Sequence, residues 1–294
     1  MCGIVGLHLR NPELVPQLGR LLTGMLCEMA DRGSDSAGVA VYGDPVWSPV
    51  GQGCVSVLDV DPDSGALTEA LGHPVTVTRI GDTFQLSAAT DPESLVSAVR
   101  SAYPDALIAG FGADLTVLKG VGHPRTLTEG WGLAGATGWQ GVGHTRMATE
   151  SAVTPSGAHP YAVGPGQCLV HNGSFANHAT IRRELIASGV RFDSLNDTEV
   201  GARFVAAQLA AGRDVETALK ELCATFDGFY TLLVSNRDSF AVVRDAIACK
   251  PAVIAETADW VAMASEYRAL SGLPGVGAAK IWEPEPEVVY AWQR

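Results

Sequence analysis

Cys2 follows the initiator methionine and opens the run Met1-Cys2-Gly3-Ile4-Val5-Gly6. Removal of Met1 would place a thiol and a free α-amine on one residue. The thiolate is a strong nucleophile, and an α-amine with a pKa of about 7.7–8.0 takes and returns a proton near neutral pH. One residue then supplies attacker and base, as when a threonine hydroxyl is paired with its own terminal amine. Position alone says little, because many chains begin with Met and a small residue. Later segments add weight by holding polar groups where a folding core would not ask for them. They are Gly143-His144-Thr145-Arg146-Met147-Ala148-Thr149, His171-Asn172-Gly173 after the apolar pair Leu169-Val170, and Asn196-Asp197-Thr198-Glu199-Val200. Two more are Asp31-Arg32-Gly33-Ser34-Asp35-Ser36-Ala37-Gly38 and Gly157-Ala158-His159-Pro160.

Together with Cys2-Gly3-Ile4, and in this order, these segments resemble the signature segments of class II glutamine amidotransferases. Those are N-terminal-nucleophile enzymes that hydrolyse glutamine and pass the ammonia onward. The resemblance covers Cys2 to about Val200 for motifs and extends to the C-terminus for fold. It implies an α+β architecture, a four-layer αββα sandwich of the N-terminal nucleophile hydrolase type. It also implies roles. Cys2 would form a γ-glutamyl thioester, and the Asn172 side-chain amide and the Gly173 backbone N–H would cradle the oxyanion. Arg146, with the Thr149 hydroxyl, would hold the substrate α-carboxylate, Asp197 would face its ammonium, and Arg32 would support the nucleophile.

Elementary chemistry agrees with these roles. An amide NH2 is a good donor, and a glycine lets the backbone approach closely. A guanidinium fork suits a carboxylate. Each residue also has a plainer reading: Asn172-Gly173 as a hairpin turn, Arg146 as a surface ion pair, Asp197 as a helix N-cap. His144, His159 and His171 lie in the motifs, but the amine already fills the role of base.

Two positions depart from the compact family members that transfer ammonia to sugar phosphates. Met147 stands where a tryptophan often follows the arginine, and Glu150 where a histidine often follows the threonine. The glutaminase set stays whole, and the identity of the acceptor reaction is left open. No Gly-rich phosphate loop or dinucleotide fingerprint is present, so no cofactor is expected in this chain, and the chain ends soon after the expected amidotransferase domain. The acceptor site is therefore expected on another polypeptide. The resemblance extends to the amidotransferase subunit of split glutamate-synthase-like systems, including N-methylglutamate synthase, and implies flavin-containing synthase partners. The alternatives are a free amidohydrolase of another γ-glutamyl compound and a regulatory subunit that keeps the fold without the chemistry.

Composition sets the bounds. The 294 residues are 47% apolar with a net charge of −12, enough to bury a core and unsuited to nonspecific binding of nucleic acid or anionic membranes. No apolar run approaches the roughly 18 residues of a membrane span, and no secretory signal is visible; a cytoplasmic location is expected. None of the six cysteines is spaced as C-x-x-C, so neither a zinc site nor an iron–sulfur cluster is expected, and no metal. Five read as small buried hydrophobes.

The elements that must position the motifs follow from periodicity. Strands are expected over 3–9, 37–42, 75–79, 84–88, 106–111, 115–118, 229–235, 240–244, 252–255 and 260–264. Helices are expected over 14–29, around Leu95–Tyr103, and over 181–187, 198–211 and 215–226. Residues 1–294 read as one amidotransferase domain. The stretch of about 65–135 reads as an inserted α+β segment or as a longer loop-and-sheet extension of the same domain.

Overall fold

The first strand, β1 (Gly3–Leu9), is buried at all seven positions. Alternation sends Ile4 into one apolar cluster and Val5, Leu7 and Leu9 into another. A strand covered on both faces cannot alternate cleanly between apolar and polar, which is why its sequence reads apolar nearly throughout. Its polar exception, His8, is met by Gln140 Oε1 at 2.8 Å from its Nδ1.

The computed structural model describes residues 2–148 and 152–294. The further strands are β2 (Ser36–Tyr42), β3 (Gly53–Leu58), β4 (Val75–Ile80), β5 (Thr83–Ala88), β6 (Leu107–Gly112), β7 (Leu115–Val121), β8 (Gln140–Arg146), β9 (Cys168–Phe175), β10 (Gly228–Ser235), β11 (Ser239–Arg244), β12 (Val253–Glu256), β13 (Trp260–Ala264), β14 (Lys280–Trp282) and β15 (Tyr290–Gln293). The α-helices are α1 (Leu18–Glu28), α2 (Ser64–Leu71), α3 (Pro92–Ala102), α4 (Pro124–Gly130), α5 (His178–Ala187), α6 (Asp197–Ala210) and α7 (Val215–Thr225). The helix expected over 14–29 is split. Pro12–Gln17 forms a 3-10 turn containing Pro16, and α1 begins only at Leu18. Proline removes an N–H donor and crowds the preceding turn, so it does not sit inside an α-helix.

A seven-stranded sheet has the order β14-β12-β13-β1-β8-β2-β7, and a four-stranded sheet the order β15-β11-β10-β9. They meet through one cluster that joins Ile4, Val142, Val261 and Met263 to Val170, Leu233, Phe240 and Val242. On the outer side of the larger sheet α1 buries Leu18, Leu21, Leu22, Met25 and Leu26. On the outer side of the smaller one α5, α6 and α7 bury Ile181, Val200, Val205, Leu219 and Leu222. The result is the four-layer αββα sandwich. Gly6 sits where the sheets press closest: a Cβ there would lie 2.4 Å from Leu233 Cδ1 and 2.8 Å from the Phe240 ring.

A third sheet, β4-β5-β3-β6, is antiparallel throughout and is covered by α2 and α3. Its element order β-α-β-β-α-β with this strand order is the split βαβ arrangement. This unit spans 53–112 and overlaps, without matching, the expected segment of about 65–135: β3 starts earlier, and β7 pairs with β2 in the large sheet. β3 hides from sequence reading because Cys54 and Ser56 interrupt its apolar positions, yet both are fully buried. Ser56 Oγ donates to Gln85 Oε1 and accepts from Val117 N at 2.9 Å, tying the small sheet to β7.

Because both sheets close on Gly6, Gly6→Ala is expected to cost about 1–3 kcal/mol through overpacking. Urea denaturation checks this as a lower midpoint at unchanged slope.

Candidate active site

Strand register carries the motif residues to one end of the sandwich. Gly3 pairs with Thr145, so Cys2 and Arg146 are the next residues outward on neighbouring strands. Both continue the parity of Ile4 and Val142, which face the second sheet. On β9, Asn172 continues the parity of Cys168 and Val170, which face the first. The gap is bridged directly: Asn172 Nδ2 donates to the Cys2 carbonyl oxygen at 3.2 Å.

The same oxygen takes a second donor, Arg32 Nε at 2.8 Å. Arg32 is buried and donates through Nη1 to Glu266 Oε1 at 2.7 Å. That bond, and to a lesser extent the nearby Arg268, holds the Glu266 carboxyl below the usual carboxylate range. The neighbouring Ser265 accepts from Ile4 N through its Oγ at 2.9 Å, and its own N–H donates to Ile4 O at 2.9 Å. Ser265 and Glu266 thus clamp the start of β1 from more than 230 residues away. Nothing local in the sequence marks them, because their partners lie 261 and 234 residues away.

Arg146 ends β8 in a close-fitting bed. A Cβ on Gly33 would lie 2.6 Å from Arg146 backbone atoms, and one on Gly157 would lie 2.9 Å from Nη1. Asp35 N donates to Arg146 O at 3.1 Å, while Asp35 Oδ2 accepts from Ala148 N at 2.9 Å. The segment 31–38 therefore shapes the turn that carries the arginine. Thr149, expected beside it, lies outside the described residues.

Asn172-Gly173 is not a hairpin turn. It lies inside β9, which pairs with β10 from Cys168 to Phe175. Gly173 has φ +142°, and a Cβ there would sit 2.0 Å from Phe229 O, so a larger residue would be strained in conformation and in space. Nor is Asp197 the N-cap. Asn196 fills that position by accepting from Thr198 N at 2.9 Å. Asp197 Oδ2 instead accepts from Phe175 N at 2.9 Å, tying the end of β9 to the start of α6. Asn196 and Thr198, not singled out from sequence, share in holding Asp197.

No group of three or more His, Cys, Asp or Glu among the described residues is arranged for a metal ion. A cavity of about 210 Å³ lined by Tyr42, Asp114 and Arg237 contains none of the motif residues. The site is thus marked by convergent polar groups rather than by volume.

His144, His159 and His171 are all buried beside these residues. Burial pushes His144 down to about 3 and lowers His159, His171 and His8 as well. Unfolded, each would titrate near ~6.5. Above that pH neither state binds the proton and the stability they contribute is intact. As pH falls from ~6.5 towards the folded values, only the unfolded chain takes up protons, so stability drops by up to about 1.4 kcal/mol per pH unit for each histidine. Melting temperature is expected to be level from about pH 8 to 7 and to fall between about pH 6.5 and 5, above the usual carboxylate range; His144→Gln should flatten that fall.

The chain matches the family described as "Glutamine amidotransferase domain" over residues 144–272. It is 46% identical over 302 residues to the glutamine amidotransferase-like protein GlxB of Rhizobium meliloti (strain 1021), covering 99% of this chain and 98% of that protein. It is 35% identical to the glutamine–fructose-6-phosphate aminotransferase of Thermococcus kodakarensis over 47% of this chain and 24% of that protein. Among solved structures, the glutamine phosphoribosylpyrophosphate amidotransferase from B. subtilis superposes with a TM-score of 0.59 at 18% identity, over 99% of this chain and 49% of that chain, which establishes the fold. The chain belongs to the glutamine amidotransferase family.

Proposed function

We propose that this chain hydrolyses L-glutamine through a Cys2 thioester and delivers the ammonia to a separate synthase subunit of the glutamate-synthase-like or N-methylglutamate-synthase-like kind. The bond from Asn172 Nδ2 to the Cys2 main chain supports this most, because it places an amide donor beside the nucleophile. An amide nitrogen carries two hydrogens; one meets the Cys2 carbonyl and the second remains for the oxyanion.

With Met1 removed, the Cys2 α-amine takes the thiol proton as sulfur attacks the side-chain carboxamide carbon of glutamine. The oxyanion is met by Asn172 Nδ2 and the Gly173 N–H. The ammonium formed on Cys2 returns its proton to the departing nitrogen, and ammonia leaves behind a γ-glutamyl thioester. A water, deprotonated by the same amine, attacks the thioester; glutamate leaves and the thiol is restored. Arg146 holds the α-carboxylate, with Thr149 beside it, and Asp197 the α-ammonium. Arg32, braced by Glu266, fixes the Cys2 carbonyl.

Delivery to a partner follows from the product. Ammonia released into neutral water is protonated and loses its nucleophilicity, so coupling to an acceptor site preserves it. The motifs of this chain supply a glutamine site and no acceptor site. The partner is expected to carry flavin. The α/β unit over 53–112 is the proposed docking region, since the glutamine site uses none of its residues.

Cys2→Ala is expected to abolish glutamine hydrolysis, and a glutamine-like electrophile to label Cys2 alone. Intact-mass measurement should show the active form without Met1. Labelling of Cys168 or Cys249 would reject the nucleophile. Asn172→Ala should lower kcat by about 100- to 1,000-fold, whereas Arg146→Lys should lower kcat/KM by about 10- to 100-fold, the worth of a charged hydrogen bond; steady-state kinetics separates the two. Native co-purification should recover the chain with flavin-containing subunits that raise its glutaminase rate. Rapid turnover of a γ-glutamyl compound by the isolated chain, with no partner recovered, would favour a free amidohydrolase.

A further inference from the structure

Behind the proposed grip on the substrate ammonium lies a group of buried residues that the chemistry above does not use. His159 Nε2 lies 3.0 Å from Thr198 Oγ1, and His171 Nδ1 lies 2.8 Å from the same oxygen. His144 Nε2 lies 3.1 Å from His171 O, and the His144 and His159 rings stack with centroids 4.0 Å apart. The other ring nitrogens, His144 Nδ1, His159 Nδ1 and His171 Nε2, are buried without a hydrogen-bond partner among the described residues.

These contacts fix where the protons sit. Burial keeps the rings neutral, and the Lys119 ammonium, 4.8 Å from the centre of the Tyr161 ring, adds a nearby positive charge that opposes protonation of His159. A neutral imidazole has one N–H and one bare nitrogen. His144 must carry its proton on Nε2, since a carbonyl oxygen only accepts. For His159 and His171, a proton on the partnerless nitrogen would bury an unpaired N–H, which folded proteins avoid more strictly than an unpaired acceptor. Both rings therefore donate to Thr198 Oγ1 and fill its two lone pairs. The single hydroxyl proton is left for Asp197 Oδ1, a longer contact at 3.4 Å.

Building on the assignment of Asp197 to the substrate ammonium, we infer that Thr198 is a positioning residue: its hydroxyl, saturated by His159 and His171, donates to Asp197 and sets the carboxylate's orientation. Asp197 Oδ2 is held by Phe175 N, so among the described residues each carboxylate oxygen has one donor and lone pairs to spare for a cation.

The test compares L-glutamine with glutaramate, which lacks the α-amino group, in the full chain and in Asp197→Asn, Thr198→Val, Thr198→Ser and the Asp197→Asn/Thr198→Val double variant. Thr198→Val is expected to raise KM for glutamine about tenfold with kcat within twofold, to leave glutaramate unchanged, and to add nothing in the Asp197→Asn background; Thr198→Ser restores the original values. Long-range 15N–1H spectra of the unaltered protein should show His171 protonated at Nδ1 and His144 and His159 at Nε2. Equal losses for both substrates, additivity with Asp197→Asn, or a proton on a partnerless nitrogen of His159 or His171 would overturn the inference. Loss of the glutamine preference in Asp197→Asn but not in Thr198→Val would overturn this inference alone. A full preference retained in Asp197→Asn would overturn the ammonium assignment and the inference with it. Should Thr198→Val fail to fold, the spectra of the unaltered protein still decide.

Discussion

The carbonyl oxygen of Cys2 receives one donor from each side of the sandwich. Arg32 reaches it from the turn after α1, and Asn172 from the facing sheet. The rest of the molecule is arranged so that both can arrive. The two sheets must approach closely enough for a side chain on one to touch the backbone of the other, which small residues such as Gly6 allow. Arg32 must be buried without leaving its charge unopposed, which Glu266 accomplishes. Two donors on one carbonyl oxygen fix the backbone of Cys2 against both sheets.

The parts of the site that were legible in the sequence are those whose chemistry is local. His171-Asn172-Gly173 and Asn196-Asp197-Thr198 each bring their groups within a few residues, so type and spacing point to them before any fold is known. Ser265 and Glu266 close on partners more than two hundred residues away, and a distance of that kind leaves no trace in a local pattern. Thr198 sits inside a visible motif, but its part as a junction depends on His159 and His171 arriving from two other segments. The fold was legible where apolar faces are continuous, as in β1, β13 and α7. It was obscure where buried polar groups break the pattern, as at Ser56 in β3, and where Pro16 divides one apolar stripe between two kinds of helix.

The small α/β unit is not a loose appendage. Leu58 and Ala109 enter the same cluster that joins the two main sheets, and Ser56 and Gln85 exchange hydrogen bonds with the backbone of β7. Its own core, between the sheet and helices α2 and α3, is separate. One face of the unit is thus committed to the enzyme, and its helices lie on the other side. A mutation of that outer surface can leave the glutamine site alone, whereas removing the unit would uncover part of the central core.

β1 lies in the middle of the large sheet, between β13 and β8. Val5 stands opposite Ala264, and Gly3 opposite Thr145. β1 is therefore completed by one partner from the middle of the sequence and one from more than 250 residues away. Contacts spanning so much chain form slowly, so the full pairing of β1 is expected late in folding. A chain that stops short of β13 would leave one edge of β1 unpaired, so the surroundings of Cys2 are complete only once residues 260–264 are in place.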